Sequence, residues 1–188
     1  MFLDNSIVFS GGVNGTTGVV TGQSISTSTN VDSTNLVDIT GTGVGTLPTR
    51  MIGASGLSTA IGADWGAGEG VAVPYVYITV TTTGTSANTL TITLQAAPDN
   101  GSGSAGSYTT IYTSKAFTGT AMVAGQALLF PVPPRVTLDT TYGEVLPRFY
   151  KLNYAASAAL TVGLYASMVI NPPTTLTQQQ YGNNFVAV

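Results

Sequence analysis

Histidine and cysteine are both absent from this chain of 188 residues, and tryptophan occurs once. Without histidine the commonest general base near neutral pH is missing, and no Ser-His or Cys-His nucleophile can be assembled. Without cysteine there is neither a disulfide framework nor a thiolate metal site. Charge is also scarce. Asp, Glu, Lys and Arg make up 7% of the residues, where an ordinary domain carries about 25%. The five cations, Arg50, Lys115, Arg135, Arg148 and Lys151, are scattered along the chain. Phosphate neutralisation needs them clustered, so nucleic-acid binding is rejected. No run of about 18 apolar residues is present to form a membrane-spanning helix. The opening MFLDNSIVFSGG has no basic region and no long apolar core. It does not read as an export signal, and synthesis in the cytoplasm is the expectation.

What the chain does hold is apolar and hydroxylic. Its hydrophobic content is 43%, and a single domain of this length buries roughly 70% of its unfolded surface. Charge normally keeps a monomer from associating with its own copies. A chain this short of charge reads as one whose surface ends up against another protein.

The apolar residues alternate rather than recur at helical spacing. Leu90, Ile92 and Leu94 alternate with threonines, the Asp-Asn-Gly-Ser run 99–104 marks a turn, and YTTIYTS (108–114) follows. This pattern predicts a β-hairpin. In 71–83, Val76, Ile78 and Val80 share one face, with Tyr75, Tyr77, Thr79 and Thr81 on the other. Residues 126–133 give a short strand stopped by Pro131, Pro133 and Pro134. Tyr150, Leu152 and Tyr154 share a face in 148–156, as do Leu160, Val162, Leu164, Ala166, Met168 and Ile170 in 159–170. NVDSTNLVDI (30–39) reads as a first strand. Seven or eight strands with no amphipathic helix predict an all-β fold, a jelly-roll-like antiparallel β-sandwich with extended N- and C-terminal arms. The expected organisation is an N-terminal arm (1–30), a sandwich domain (31–170) interrupted by a long Gly-rich loop (41–70), and a C-terminal arm (171–188).

Catalysis finds no support in the remaining residues, and the expectation is a protein that is not an enzyme and needs no cofactor or metal. Asp32 and Asp38 on one strand would lie roughly 20 Å apart, too far for paired acid/base work. Asp139 and Glu144 flank TTYG, and Asp64 and Glu69 bracket WGAG; both pairs read as solvated turn carboxylates. GTGVG (41–45) and GAGEG (66–70) lack the following helix of a dinucleotide fingerprint. DNGSG (99–103) lacks the later ligands of a calcium loop. Asn14-Gly15-Thr16 matches a glycosylation sequon by pattern alone. Tyr75, Tyr77, Tyr108 and Tyr112 would suit a carbohydrate-binding or host-attachment platform if all faced outward, and otherwise cover the sandwich or an oligomer interface.

The order of the pieces MFLDNSIVFS, STSTNVDSTNLVDI, GAGEG before a long strand, TLTITLQAAPDN and RFYKLNYAASAALTVGLYASMVI resembles the cementing (decoration) capsid proteins of tailed bacteriophages, the Bordetella phage cementing-protein family. The resemblance spans about residues 2–170. It implies a jelly-roll structural protein of the virion, made in the host bacterial cytoplasm and placed on the capsid exterior. There it would bridge neighbouring major capsid subunits as a homo-oligomer, a trimer slightly favoured over a dimer. The candidate partner contacts are Phe2, Leu3, Phe9, Trp65, Tyr181, Phe185 and Val186. Burial of anchors such as Phe2, Leu3, Phe9, Tyr181 and Phe185 would contribute on the order of 1–3 kcal/mol each before ordering costs.

Overall fold

A computed structural model describes residues 8–13, 17, 19–26, 30–38, 74–132, 138–140, 143–145 and 147–170. Fifteen strands run through them: β1 (Val8–Ser10), β2 (Gly12–Val13), β3 (Val20–Thr21), β4 (Gln23–Ile25), β5 (Val31–Asp32), β6 (Val37–Asp38), β7 (Pro74–Thr82), β8 (Thr89–Ala97), β9 (Thr109–Thr113), β10 (Phe117–Thr118), β11 (Ala127–Pro131), β12 (Leu138–Thr140), β13 (Gly143–Val145), β14 (Phe149–Ala156) and β15 (Val162–Ile170). Among the described residues the only helical element is one 3-10 turn, Gly119–Ala121.

Two antiparallel sheets make a β-sandwich. The first has the order β1-β15-β7-β11, with β4 also on β15. The second has the order β10-β8-β14-β5, with β6 also on β14 and β9 on β8. The alternation in the sequence decides which side chains go inside. Val76, Ile78 and Val80 of β7 and Leu90, Ile92 and Leu94 of β8 are buried, while the residues between them are half-exposed. Leu152 and Tyr154 of β14 and Leu164, Ala166 and Met168 of β15 complete the layer between the sheets. Strand β15 is buried on both faces from Val162 to Val169, since it pairs on both edges and its outer face is covered too.

The predicted hairpin is present. β8 pairs with β9 from Thr93↔Thr113 to Ala96↔Thr109, with a register shift at Leu94/Gln95. Its turn is built by side chains. Asp99 Oδ1 accepts from the backbone N–H groups of Gly101 (2.8 Å) and Gly103 (3.0 Å), both glycines at positive φ. Asn100 Oδ1 accepts from Ser102 N–H at 2.9 Å. These are the local bonds that suit Asx residues to turns.

Two expectations are corrected. The stretch 30–39 is two short strands, β5 and β6, on the same edge of β14; the chain bends between them, and Ser33 N–H donates to Leu152 C=O at 2.7 Å. The stretch 11–30, expected to be an arm, supplies β2, β3 and β4, and β4 pairs with β15 through Val162↔Ile25. Ile25 is wholly buried. Close approach at Gly22 permits this: a Cβ there would lie 2.1 Å from Thr81 Oγ1 and 2.8 Å from Leu164 N. The segments 1–7, 41–73 and 171–188 lie outside the described residues, and with them the first seven residues of the expected N-terminal arm, the whole expected C-terminal arm and the Gly-rich loop.

Candidate partner-binding surfaces

The charged residues of the second sheet are spent within the domain. Arg148, just ahead of β14, makes a two-point ion pair with Asp38 of β6: Nε donates to Oδ1 and Nη2 to Oδ2, each at 2.9 Å. Its Nη1 also bonds Asp99, which ties the β8–β9 turn to the same point. Planar guanidinium donors fit a carboxylate in this way. The bonds to Asp38 and Asp99 outweigh burial and hold the guanidinium pKa above its usual value. Burial alone would raise the Asp99 pKa, but the N–H groups of Gly101 and Gly103 and the charge of Arg148 bring it below the usual value. Farther along β14, Asp32 accepts from Lys151 Nζ at 2.7 Å and from Asn153 Nδ2 at 2.8 Å. Slight burial raises the Asp32 pKa, and these two donors overrule it, so the net shift is downward. The Lys151 ammonium lies 4.1 Å from the centre of the Tyr108 ring, a favourable cation–π position. Asp32 and Asp38 sit opposite Asn153 and Phe149, four residues or roughly 13 Å apart along β14. Each has its own cation, and they are structural clasps.

On the first sheet the outer face carries the tyrosines. Across β7 and β15, Tyr75 stands opposite Val169, Tyr77 opposite Ser167 and Thr79 opposite Tyr165. A groove of about 300 Å³ runs there, lined by Val20, Tyr77, Thr79, Thr81, Gly125 and Tyr165. Tyr165 Oη and Ser167 Oγ are buried and have no hydrogen-bond partner among the described residues; burial raises the Tyr165 phenol pKa. The four tyrosines do not form one platform. Tyr75 and Tyr77 belong to the first sheet, and Tyr108 immediately precedes β9 of the second, its ring against Lys151. Tyr112 turns toward the core, its ring centre 5.3 Å from that of Phe130. The register shift in β9 explains this, because it changes which residues of that strand face inward.

The open edges of the sandwich differ in character. β1 and β4 have three residues each and meet different parts of β15, with a register shift at Val8/Ser10. β5 and β6 have two residues each and carry Asp32 and Asp38. β9 and β10 are separated by residues 114–116, which include Lys115. β11 is a regular five-residue strand with no register shift and no charge. On it Leu129 is 39% exposed.

Of the candidate contacts, Phe9 needs correction: it is wholly buried in the core. β1 pairs with β15 and turns this ring between the sheets, so it serves the domain itself. Phe2, Leu3, Trp65, Tyr181, Phe185 and Val186 lie outside the described residues. Asp139 and Glu144 are direct cross-strand neighbours in the β12–β13 hairpin. Two residues escaped the sequence reading, the buried Tyr165 and the exposed Leu129. Tyr165 looked like the polar side of an alternating strand. Leu129 was legible as the outward position between Leu128 and Phe130. Compared with protein-family models and with curated proteins, the chain matches none.

Proposed function

We propose that this protein is a structural component of a virion, cementing the outside of a tailed-phage capsid by oligomerising and bridging neighbouring major capsid subunits. The observation that carries the reading is how the sandwich uses its charge. Arg148 and Lys151 are paired with Asp38, Asp99 and Asp32 inside the domain, so the outer faces of β7 and β8 present threonine, tyrosine and glutamine. Such a surface is suited to standing contact with other protein, where charge would have to be desolvated. Many identical modest contacts repeated over a shell would add up through avidity. The test is light scattering of the purified chain with empty shells of the cognate major capsid protein. Saturable binding that raises the shell's melting temperature is the expected result. A chain that ignores the shell overturns the reading.

The groove beside Tyr77 favours a second reading, a carbohydrate-binding or host-attachment module, because it joins two tyrosines to the hydroxyls of Thr79 and Thr81. Glycan-array binding that disappears in Tyr77→Ala, with oligomerisation unchanged, would replace the first reading by this one.

A further inference from the structure

Among the described residues β11 is the longest open edge with neither a register shift nor a charged residue, and Pro131 at its end is all that blunts it. Sheet edges in stable monomers are shortened, bulged or charged, because a flat apolar edge is a template for another strand. The other edges follow that rule: β1 and β9 by register shifts, β5 and β6 by length and by Asp32 and Asp38. Around β11 there is no charged residue from Ala116 to Pro134.

The hydrogen-bond pattern says which groups are open. Val80 N–H donates to Gln126 C=O and Val132 N–H to Pro74 C=O, both at 2.9 Å. With the register Leu128↔Ile78 and Phe130↔Val76, the even-numbered residues of β11 point their backbone groups at β7. Ala127, Leu129 and Pro131 point theirs away, where no other strand among the described residues pairs with them. Their side chains lie on the outer face, opposite Thr79, Tyr77 and Tyr75.

We propose that β11 pairs antiparallel with β11 of a second copy of this chain, about a two-fold axis through Leu129; this rests on the reading of the protein as a homo-oligomer and gives that oligomer a contact. The edge is self-complementary in this register. The two Leu129 residues exchange both N–H···O=C bonds at the axis. Each Ala127 N–H donates to Pro131 C=O of the other copy. The missing N–H of Pro131 removes only the outermost bond at each end. The two Leu129 side chains meet on the outer face, each beside its own Tyr77, so an exposed apolar residue is covered on both copies. No like charges are brought together, because the segment has none. The result is one continuous sheet across both copies, a contact of the strand-addition kind.

The absence of cysteine gives a clean test. Leu129→Cys introduces the chain's single thiol, and directly opposed residues in such a pair have Cα atoms about 5.5 Å apart, within disulfide range. Leu36→Cys and Val123→Cys are controls at exposed sites off this edge. The expected result is a full-chain dimer in light scattering and a covalent dimer on oxidation of Leu129→Cys, with the controls uncrosslinked. Leu129→Lys should weaken self-association at least about tenfold, by opposing two charges at the axis, with an unchanged circular dichroism spectrum. A Leu129→Cys protein that crosslinks no faster than the controls, or a Leu129→Lys protein that still associates, overturns the pairing. Shell binding by the wild-type chain while Leu129→Cys fails to crosslink sinks the edge contact and leaves the capsid reading; crosslinking of Leu129→Cys while the wild-type chain ignores shells does the reverse.

Discussion

Tyr154 is a phenol wholly enclosed between the two sheets, and its Oη lies 2.6 Å from Ser10 Oγ across them. A buried hydroxyl left without its partner costs more than the bond itself contributes. Ser10→Ala is therefore expected to destabilise the fold by about 1–3 kcal/mol, and adding Tyr154→Phe should recover part of that loss. A double-mutant cycle by urea unfolding measures both. Arg148 invites a ranking. Asp38 is nearly enclosed and holds the guanidinium at two points, while Asp99 is more exposed. Asp38→Ala should lower the urea midpoint more than Asp99→Ala, and equal losses would mean that the turn contact matters as much as the enclosed pair.

The same residues set the pH profile. Asp32 and Asp99 have folded pKa values below their ordinary ones, so their stabilisation is present above about pH 4 and is lost as pH falls through the folded values. At the other end, burial pushes Tyr150 up to about 12 and Tyr154 higher still. Their contribution is complete below about pH 10 and is lost as pH rises through the folded values. With no histidine or cysteine to titrate between, the melting temperature should be nearly flat from about pH 5 to 9 and fall on both sides. A thermal scan across pH checks this, and a step near pH 6.5 would contradict it.

At the scale of elements, the long strands were legible and the short ones were not. β7, β8, β14 and β15 have eight or nine residues each, enough for an alternating pattern to stand out. β1 to β6 have two or three each, too few for any period, and they are strands because a neighbour offers an edge. The glycines make the same point. In TTTGTS (81–86), Gly84 looks like an ordinary turn glycine, yet a Cβ there would lie 2.3 Å from Gly119 O. The connection after β7 is pressed on the 3-10 turn, and Gly84 N–H donates to Met122 C=O at 2.9 Å. Gly84→Ala should cost about 1–3 kcal/mol by forcing backbone apart, read as a lower urea midpoint. A neutral result would mean that the connection shifts freely.

At the scale of the molecule, the two ends of the described chain meet: β1 pairs with β15 through Val8↔Ser167. Phe9 enters the core from that pair, and its C=O accepts from Asn35 N–H at 2.8 Å. Deleting residues 1–10 should therefore cost at least about 3–5 kcal/mol, the usual loss for one buried phenylalanine. A thermal melt by circular dichroism reads it, and a truncated chain that melts like the full one would restore the arm expected from the sequence. Pairing of such distant segments also places refolding in the millisecond-to-second range typical of β-sandwiches.

The sequence by itself determined the fold class and the inward face of each long strand, because alternation of apolar and hydroxyl residues permits one way of burying a sheet. It also marked the chain as poor in charge and without histidine. Tertiary structure alone decided the rest: that Asp32 and Asp38 belong to separate ion pairs, that Phe9 is core, that the four tyrosines divide between two sheets and the core, and that β11 is an open edge among the described residues. Each of these depends on which strands become neighbours, and neighbours distant in sequence leave no period in it.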